Sequence, residues 1–431
     1  MRSINNTFYN NLQVFICLLF ITSTLPAQVD DTIFAKKQLN YVDFIKQVKE
    51  NNLEYAAQKY MVNIAEAEIE NAKIMPDVEW NIEGTGNQKH MGNSLETGLG
   101  WTIELGGKRK ARINLAKSQV DLNRYLLQDY LRNLYADASL QFLECIQNKN
   151  LFEVHLNSYK TLSNLASSDS IRYKLGDITL TDSKQSKLEA QFMLNEVYKA
   201  ESEWKNSLIA LNLLMGKPQK DTLYTAKSNY IDCNRDFVLA DLITTAQNNR
   251  ADLKVALQNK DVSQKMLKLA KANRVMNLGI SAGMQFNGKA TNEEAPSPYH
   301  TGVTAGLSIP LRFLNNRKGE MQAAYYTLQQ ADLEYKQVEL LIQTEVTQAY
   351  QNYVNTKKQM QQFSNGLLSE SKGILEGKIY SYKRGNTSLL EVLDAQRTYN
   401  DVQENYYQTL YNYCSALVRL ERTVGIWDIN F

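Results

Sequence analysis

In the stretch Tyr382-Lys-Arg-Gly385-Asn-Thr-Ser-Leu389-Leu-Glu391-Val-Leu-Asp394-Ala-Gln396, a glycine ends a long helical pattern and two hydroxyl residues follow it. Gly385 takes positive φ without steric cost, so it reads as the turn of a helical hairpin. Thr387 or Ser388 then caps the next helix, with Glu391 in its first turn. The same construction occurs earlier as Tyr173-Lys-Leu-Gly176-Asp-Ile-Thr-Leu180-Thr-Asp182. Tyr173/Tyr382, Gly176/Gly385, Leu180/Leu389 and Gly216/Gly425 are each separated by 209 residues. Two hairpin tips built to one pattern, at Gly176 and Gly385, organise the chain.

Working outward, the six prolines stand at 26, 76, 218, 296, 298 and 310. Proline breaks helix interiors, so very long helices are open to the chain between Pro76 and Pro218 and again after Pro310. Lys108 to Leu175 also lacks glycine. From Met321, apolar residues fall on heptad lines through Leu328, Tyr335, Ile342 and Ala349, and through Tyr325, Val346, Tyr353 and Met360, the pattern of a coiled-coil seam. Leu53/Leu253, Ala56/Ala256, Val62/Val262 and Ala72/Ala272 share an offset of 200 residues. The organisation expected is therefore a signal peptide at 1–27, one repeat at 28–216, an equatorial linker at 217–250 and a second repeat at 251–431. A helix of roughly 65 residues spans roughly 100 Å, and the helices expected at 53–75 and 178–215, stacked end to end, match it. This predicts a cylinder wall with a waist, wrapped by irregular segments at 28–50 and 217–250.

Four segments alternate with period two. Val78, Trp80 and Ile82 alternate with Glu79, Asn81 and Glu83; Leu95, Leu99, Trp101 and Ile103 alternate with Glu96, Gly98, Gly100 and Glu104. In the second half, Leu278, Ile280, Ala282, Met284 and Phe286 alternate with small or polar residues, as do Val303, Ala305, Leu307 and Ile309. The expected strands, about 78–87, 95–105, 278–287 and 301–310, have the length and pattern of outer-membrane barrel strands. The same pattern would fit four half-buried strands of a soluble sandwich. Four strands cannot close a barrel, and open edges are not tolerated in lipid, so the chain must oligomerise; three copies give twelve strands.

The remaining composition is mostly exclusionary. The chain has 431 residues, 43% hydrophobic, with net charge +2, which removes any electrostatic case for nucleic-acid binding. Arg2, the apolar run Val14–Ile21 and Leu25-Pro-Ala27-Gln28 read as a secretory signal, with no cysteine at the cleavage site to accept lipid. The remaining cysteines, Cys145, Cys233 and Cys414, are odd in number and far apart, which suggests neither a disulfide framework nor metal-ligand spacing. His90, His155 and His300 are isolated, His90 and His300 in expected extracellular loops. No nucleophile–base set or phosphate loop is legible, so neither an enzyme nor a cofactor is expected.

Over essentially its whole length after the signal, the chain resembles the TolC-type outer-membrane efflux family. The repeated strand–strand–long helix–tip–return helix order matches, as does Gly385 followed by Leu-Leu-Glu391-Val-Leu-Asp394-Ala-Gln396. The junction Ile103-Glu-Leu-Gly-Gly107-Lys-Arg109-Lys-Ala-Arg112 is similar to the heavy-metal (CzcC/CusC-like) branch. The resemblance implies an α/β membrane channel: a homotrimer whose twelve-stranded barrel, four strands per protomer, continues into a periplasmic coiled-coil tunnel. It would be the outer-membrane exit duct of a tripartite efflux system for metal cations or small toxic compounds, with a periplasmic adaptor docking at the Gly176 and Gly385 tips and an inner-membrane pump supplying the energy. The competing class is a soluble periplasmic coiled-coil adaptor or scaffold. The resemblance places Glu391 and Asp394 as acid rings at the periplasmic constriction, and Tyr382 with Asp182 as a link holding the tips closed; Thr387 stands where the family's lock has an arginine. An acid pair early in a helix is also favoured by the helix dipole alone. Glu79, Glu83, Glu96 and Glu104 are candidate barrel-lumen acids. Gly366, Gly373 and Gly377, on nearly one face before the second tip, fit either a hinge or close helix packing.

Overall fold

The computed structural model describes residues 35–87, 90–218, 222–227, 233–311, 316–363 and 366–428. The expected signal peptide at 1–27 lies outside them. The first half runs β1 (Ala35–Leu39), α1 (Tyr41–Asn51), α2 (Leu53–Lys73), β2 (Val78–Thr85), β3 (Ser94–Ile103), α3 (Lys108–Leu175) and α4 (Leu180–Leu214). The second runs β4 (Thr222–Ala226), α5 (Leu239–Asn249), α6 (Ala251–Asn273), β5 (Leu278–Asn287), β6 (His300–Ser308), α7 (Lys318–Phe363), α8 (Leu367–Lys383) and α9 (Leu389–Val424). With 68 residues, α3 extends about 100 Å.

Both tips close with the same backbone motif. At the end of α3 the Gly176 N–H donates to Tyr173 O at 3.0 Å and the Asp177 N–H to Arg172 O at 2.9 Å, with Gly176 at φ 84°. At the end of α8, Gly385 and Asn386 bond Tyr382 O and Ser381 O, both at 3.0 Å, with Gly385 at φ 78°. This is the Schellman stop, which satisfies carbonyls left over at a helix end.

At the waist, helices meet end to end. The side chain of Asn52, between α1 and α2, accepts from the Tyr55 N–H and donates to Leu214 O at the end of α4. Gly216 is held so close to Asn51 that a Cβ there would lie 2.2 Å from Asn51 O. Arg250, between α5 and α6, does the equivalent work at the end of α9. Its guanidinium donates to Thr423 O at 3.1 Å and to Glu345 at 2.6 Å, and pairs with Asp252. α2 and α4 thus lie along α3, while α6 and α9 lie along α7. Two apolar clusters fill the waist. Phe44, Val48, Phe142, Leu208 and Met215 form one; Leu242, Ala246, Ile342, Val346, Tyr353 and Leu417 form the other.

Two expectations are corrected here. The segments at 28–50 and 217–250 are not simply irregular around helix α1: β1 and β4 pair in parallel, Ala35 opposite Thr222 through Leu39 opposite Ala226. Five-residue strands whose partners lie so far apart in the chain leave too short a pattern to read. The second long helix is also not continuous, since α7 ends at Phe363 and α8 starts after Gly366, which sits at φ 94°.

The second sheet has order β2-β3-β5-β6, antiparallel throughout. Its register lines up the alternation of all four strands. Trp80, Leu99, Ala282 and Ala305 form one cross-strand row, and Val78, Trp101, Ile280 and Leu307 another. The opposite face carries Glu79, Gly100, Ser281 and Gly306 in register. The apolar face is open: Val303 is 83% exposed and Trp80 69%. Among the described residues of the protomer, β2 pairs only with β3, and β6 only with β5.

Arg250, only 3% exposed, is the charged centre of the second waist joint. Burial opposes both charges, yet the pair overrides it, holding the Asp252 carboxyl below its usual range and the guanidinium above its own. Because the folded pKa of Asp252 is depressed, its stabilisation is present above the ordinary carboxylate value and is lost as pH falls through the folded one. Arg250→Met is expected to lower unfolding stability by about 2 kcal/mol at neutral pH. It should also remove part of the acid sensitivity of the parent, as measured by thermal denaturation between neutral and acidic pH.

Candidate functional site: the paired hairpin tips

The two tips lie side by side. Arg172, Gly176, Thr179, Asp182, Tyr382, Gly385, Thr387 and Ser388 line one cleft between them. Beneath it, Leu162, Leu165, Ala190, Leu389, Val392 and Leu393 pack into an apolar plug that joins α3, α4 and α9.

Each return helix begins with a reciprocal cap. Thr179 Oγ1 accepts from the Asp182 N–H at 3.1 Å and donates to the Asp182 carboxylate at 2.8 Å. Ser388, rather than Thr387, caps α9, accepting from the Glu391 N–H at 3.4 Å. Asp182 and Glu391 therefore occupy the same position in the two hairpins, the third residue of the return helix, each bonded to the hydroxyl of its cap residue.

The tyrosine link differs from the one the resemblance implied. The Tyr382 hydroxyl donates to Asp169 Oδ1 at 3.1 Å, while Asp182 is occupied with Thr179. Asp169 sits two helical turns before Gly176 and is 0% exposed, so it reaches across to α8 from inside the packed seam. Arg172 completes the cluster. Its guanidinium stacks over the Tyr382 ring at 4.9 Å, approaches Asp169 at 3.8 Å and donates to Tyr382 O at 3.5 Å. Burial raises the Asp169 carboxyl above its usual range despite help from Ser186, Tyr382 and Arg172, and its Oδ2 has no hydrogen-bond partner. Burial and the neighbouring Asp169 push the Tyr382 phenol up to about 12. Nothing in the sequence pointed to Asp169, which stands among Ser167, Ser168 and Ser170 and is buried only once α3 packs against α8.

Glu391 and Asp394 are both exposed, one turn apart on the same face of α9, with Val392 and Leu393 turned inward. Lys378 on α8 pairs with Glu391 at 2.5 Å. That ammonium, with the cap at Ser388, lowers the Glu391 carboxyl to about 2. The acid is thus ionised and partly answered by a cation the motif did not reveal. Deeper in the seam, Gln396 donates to Asn400 at 2.9 Å and Ser158 donates to Asn400 at 2.5 Å, a buried polar joint between α3 and α9.

At the sheet end, Glu79, Glu83 and Glu96 share the polar face, with Glu83 directly opposite Glu96. Glu104 does not join them. It lies beyond β3 and forms a two-pronged pair with Arg112, at 2.9 and 3.2 Å, bracing the turn into α3. His90 contacts Thr291 in a loop, whereas His300 opens β6 and contacts Asn287. Gly373 and Gly377 are exposed, and a Cβ on either would meet nothing within 4 Å, so packing inside the protomer does not require them. Among the described residues no group of three or more His, Cys, Asp or Glu could hold a metal ion, and no helix is long and apolar enough to cross a membrane.

A sequence profile of the family described as "Outer membrane efflux protein" matches residues 242–426. The chain is 21% identical to the cobalt-zinc-cadmium resistance protein CzcC of Cupriavidus metallidurans, over 87% of this chain and 86% of that protein. It is 22% identical to the pyoverdine export outer membrane protein OpmQ of Pseudomonas putida, over 93% of this chain and 88% of that one. To the outer membrane protein TolC of Vibrio cholerae it is 21% identical, over 96% and 97%. Among solved structures, CusC superposes with a TM-score of 0.73 at 16% identity, covering 92% of this chain and 94% of CusC. The CmeC outer membrane channel of Campylobacter jejuni gives 0.72 at 13%, covering 89% and 84%. The strands, the long hairpins and these matches agree: residues 242–426 match the outer membrane efflux protein family, and the chain along most of its length is similar to TolC-type outer membrane channels.

Proposed function

We propose that this chain is the outer-membrane exit duct of a tripartite efflux system, working as a homotrimer. The observation that carries this reading is the β2-β3-β5-β6 sheet. It presents a continuous, open apolar face and, among the described residues, two unpaired edges, and it sits at one end of the long helices, of which α3 reaches about 100 Å. In water such a face is a large exposed apolar patch, while in a bilayer it is the lipid-facing surface. Three sheets joined edge to edge give twelve strands with Glu79, Glu83 and Glu96 toward the lumen. A soluble adaptor or scaffold would have no use for that face. The parallel lengths of α1 and α5, both 11 residues, and of α4 and α9, 35 and 36, support a duplicated protomer with repeats at 28–216 and 251–431 joined by an equatorial segment.

In this assembly the tips form the periplasmic gate. Tyr382, Arg172 and Asp169 hold the Gly385 hairpin against α3, so this cluster must yield for the hairpin to swing outward. Repetition about a threefold axis turns Glu391 and Asp394 into rings of negative charge, which favour cations. The Gly176 and Gly385 turns are the surface a periplasmic adaptor would dock on, with transport energy coming from an inner-membrane pump. Cargo follows no single relative, because CzcC is named for metal resistance and OpmQ for pyoverdine export, while the name of TolC states no cargo. Metal cations or small toxic compounds remain the proposed class.

Reconstituted in a planar bilayer, the protein is expected to conduct, and a preparation that inserts without conducting would contradict the duct. Tyr382→Phe and Asp169→Ala should each favour the open state by about 1 kcal/mol per protomer, or about fivefold in the open-to-closed ratio. Asp182→Ala removes only a cap contact and should leave conductance close to the parent. Glu391→Gln with Asp394→Asn should weaken cation preference and divalent block, whereas Lys378→Ala should strengthen both.

The sheet generates a further expectation at two adjacent residues. Val303 lies on the apolar face, while Gly302 lies on the polar face with open space around it. Val303→Lys should destabilise the folded barrel in lipid vesicles by about 2–4 kcal/mol near the bilayer centre. Gly302→Lys should change it far less. Urea titrations read by heat-modifiable gel migration check the contrast, and equal costs at both positions would reject the assignment of faces.

A further inference from the structure

Cys233 and Cys414 are 181 residues apart in sequence, yet their sulfurs touch at 2.6 Å. Both are buried, 2% and 4% exposed, Cys233 just before α5 and Cys414 in the last third of α9. The contact does not depend on a loosely held segment. The Cys233 carbonyl accepts from the Tyr413 hydroxyl at 2.9 Å and from the Tyr353 hydroxyl at 2.8 Å. The Arg235 N–H donates back to the Tyr353 oxygen at 2.9 Å, and the Arg235 guanidinium pairs with Glu421 at 3.0 Å. Cys233 and Arg235 are therefore tied to α7 and α9 independently of the thiol contact. Cys145 is different: it is buried in the other waist cluster, where its thiol contacts Ser207 Oγ at 3.3 Å. The three cysteines that follow the expected signal segment, Cys17 lying within it, resolve into one facing pair and one packed single.

We propose that Cys233 and Cys414 are a modification site, joined in the exported protein by a disulfide that clamps the equatorial segment to α9. This rests on the reading that the chain is exported, because disulfides persist in the oxidising cell envelope and not in the cytosol. The oxidant is a protein disulfide of the envelope's thiol-oxidising machinery. One cysteine thiolate attacks that disulfide, forming a mixed disulfide and releasing one oxidant thiol. The second cysteine thiolate then attacks the mixed disulfide, forming the Cys233–Cys414 bond and releasing the second oxidant thiol. Two thiol protons leave, and the oxidant takes up two electrons as it becomes a dithiol. Contact with Cys233 and burial push the Cys414 thiol up once the protein is folded. The exchange therefore belongs to folding, before residues 233–238 close over α9.

The test uses full-length protein recovered from the outer-membrane fraction, denatured without reductant in excess alkylating reagent and digested. The expected result is a peptide pair containing Cys233 and Cys414, lighter than the two free peptides by two hydrogen atoms and separated by reductant, with Cys145 alkylated. Recovery of Cys233 and Cys414 both alkylated, without reductant, overturns the proposal and leaves the channel reading intact, since that reading is judged by conductance. As a second readout, reductant should lower the thermal midpoint of the parent and leave Cys414→Ala unchanged. A parent whose midpoint ignores reductant, in protein shown to be accessible to it on unfolding, also overturns the clamp.

Discussion

Hydrocarbon cannot satisfy a backbone N–H or C=O, and the four-stranded sheet leaves a row of both along β2 and along β6. Each unsatisfied group in lipid costs several kcal/mol, so the apolar face and the open edges cannot be accommodated by one protomer alone. The proposed trimer resolves both conditions at once, because edge pairing between copies turns three half-satisfied sheets into a closed surface. That proposed closure would then constrain the helices. The chain passes from β3 to α3 through Gly106 and Gly107, both at positive φ, and Glu104 locks onto Arg112 across the turn. On the neighbouring side Lys108 bonds Asn277 at the foot of β5. The direction of the long helices is thus set where they leave the sheet.

Far from the sheet, the same economy recurs at the waist and the tips. Short helices extend one another because one side chain serves two ends, Asn52 at the first joint and Arg250 at the second. At the tips, the groups that shape the turn are separate from those that hold it shut. Asp182 and Glu391 belong to the caps, while Tyr382, Asp169 and Arg172 form the contact between hairpins. A buried carboxylate with one unpartnered oxygen is a costly way to join two helices. In the proposed gate, where this seam would open, it makes the closed state sufficient rather than maximal.

Much of this was legible in the residues. Alternation at Val78–Ile82 and Leu278–Phe286 located strands to within two residues, because a period-two pattern with one apolar face admits few alternatives. Gly176 and Gly385 marked the turns because little else adopts that backbone after a helix. The lost parts are those where the partner is distant in sequence. β1 and β4 are short strands with no local signature, and Lys378 and Asp169 acquire their roles only when α8 folds back on α9 and α3. Glu104 looked like one more alternating residue, yet β3 ends one residue earlier and the acid turns to Arg112. The cysteine count suggested scatter for the same reason: spacing along the chain says nothing about residues 233 and 414 meeting across the waist.

In the proposed trimer, β2 of one copy pairs with β6 of the next to close a ring of three. Paired cysteines introduced along these two edges, one on each strand and at successive registers, measure this in intact outer membranes. At least one register is expected to yield a ladder of cross-linked dimer and trimer that ends at trimer, with no cross-link from either single-cysteine variant. Cross-linking absent at every register, or ladders running past trimer, would contradict it.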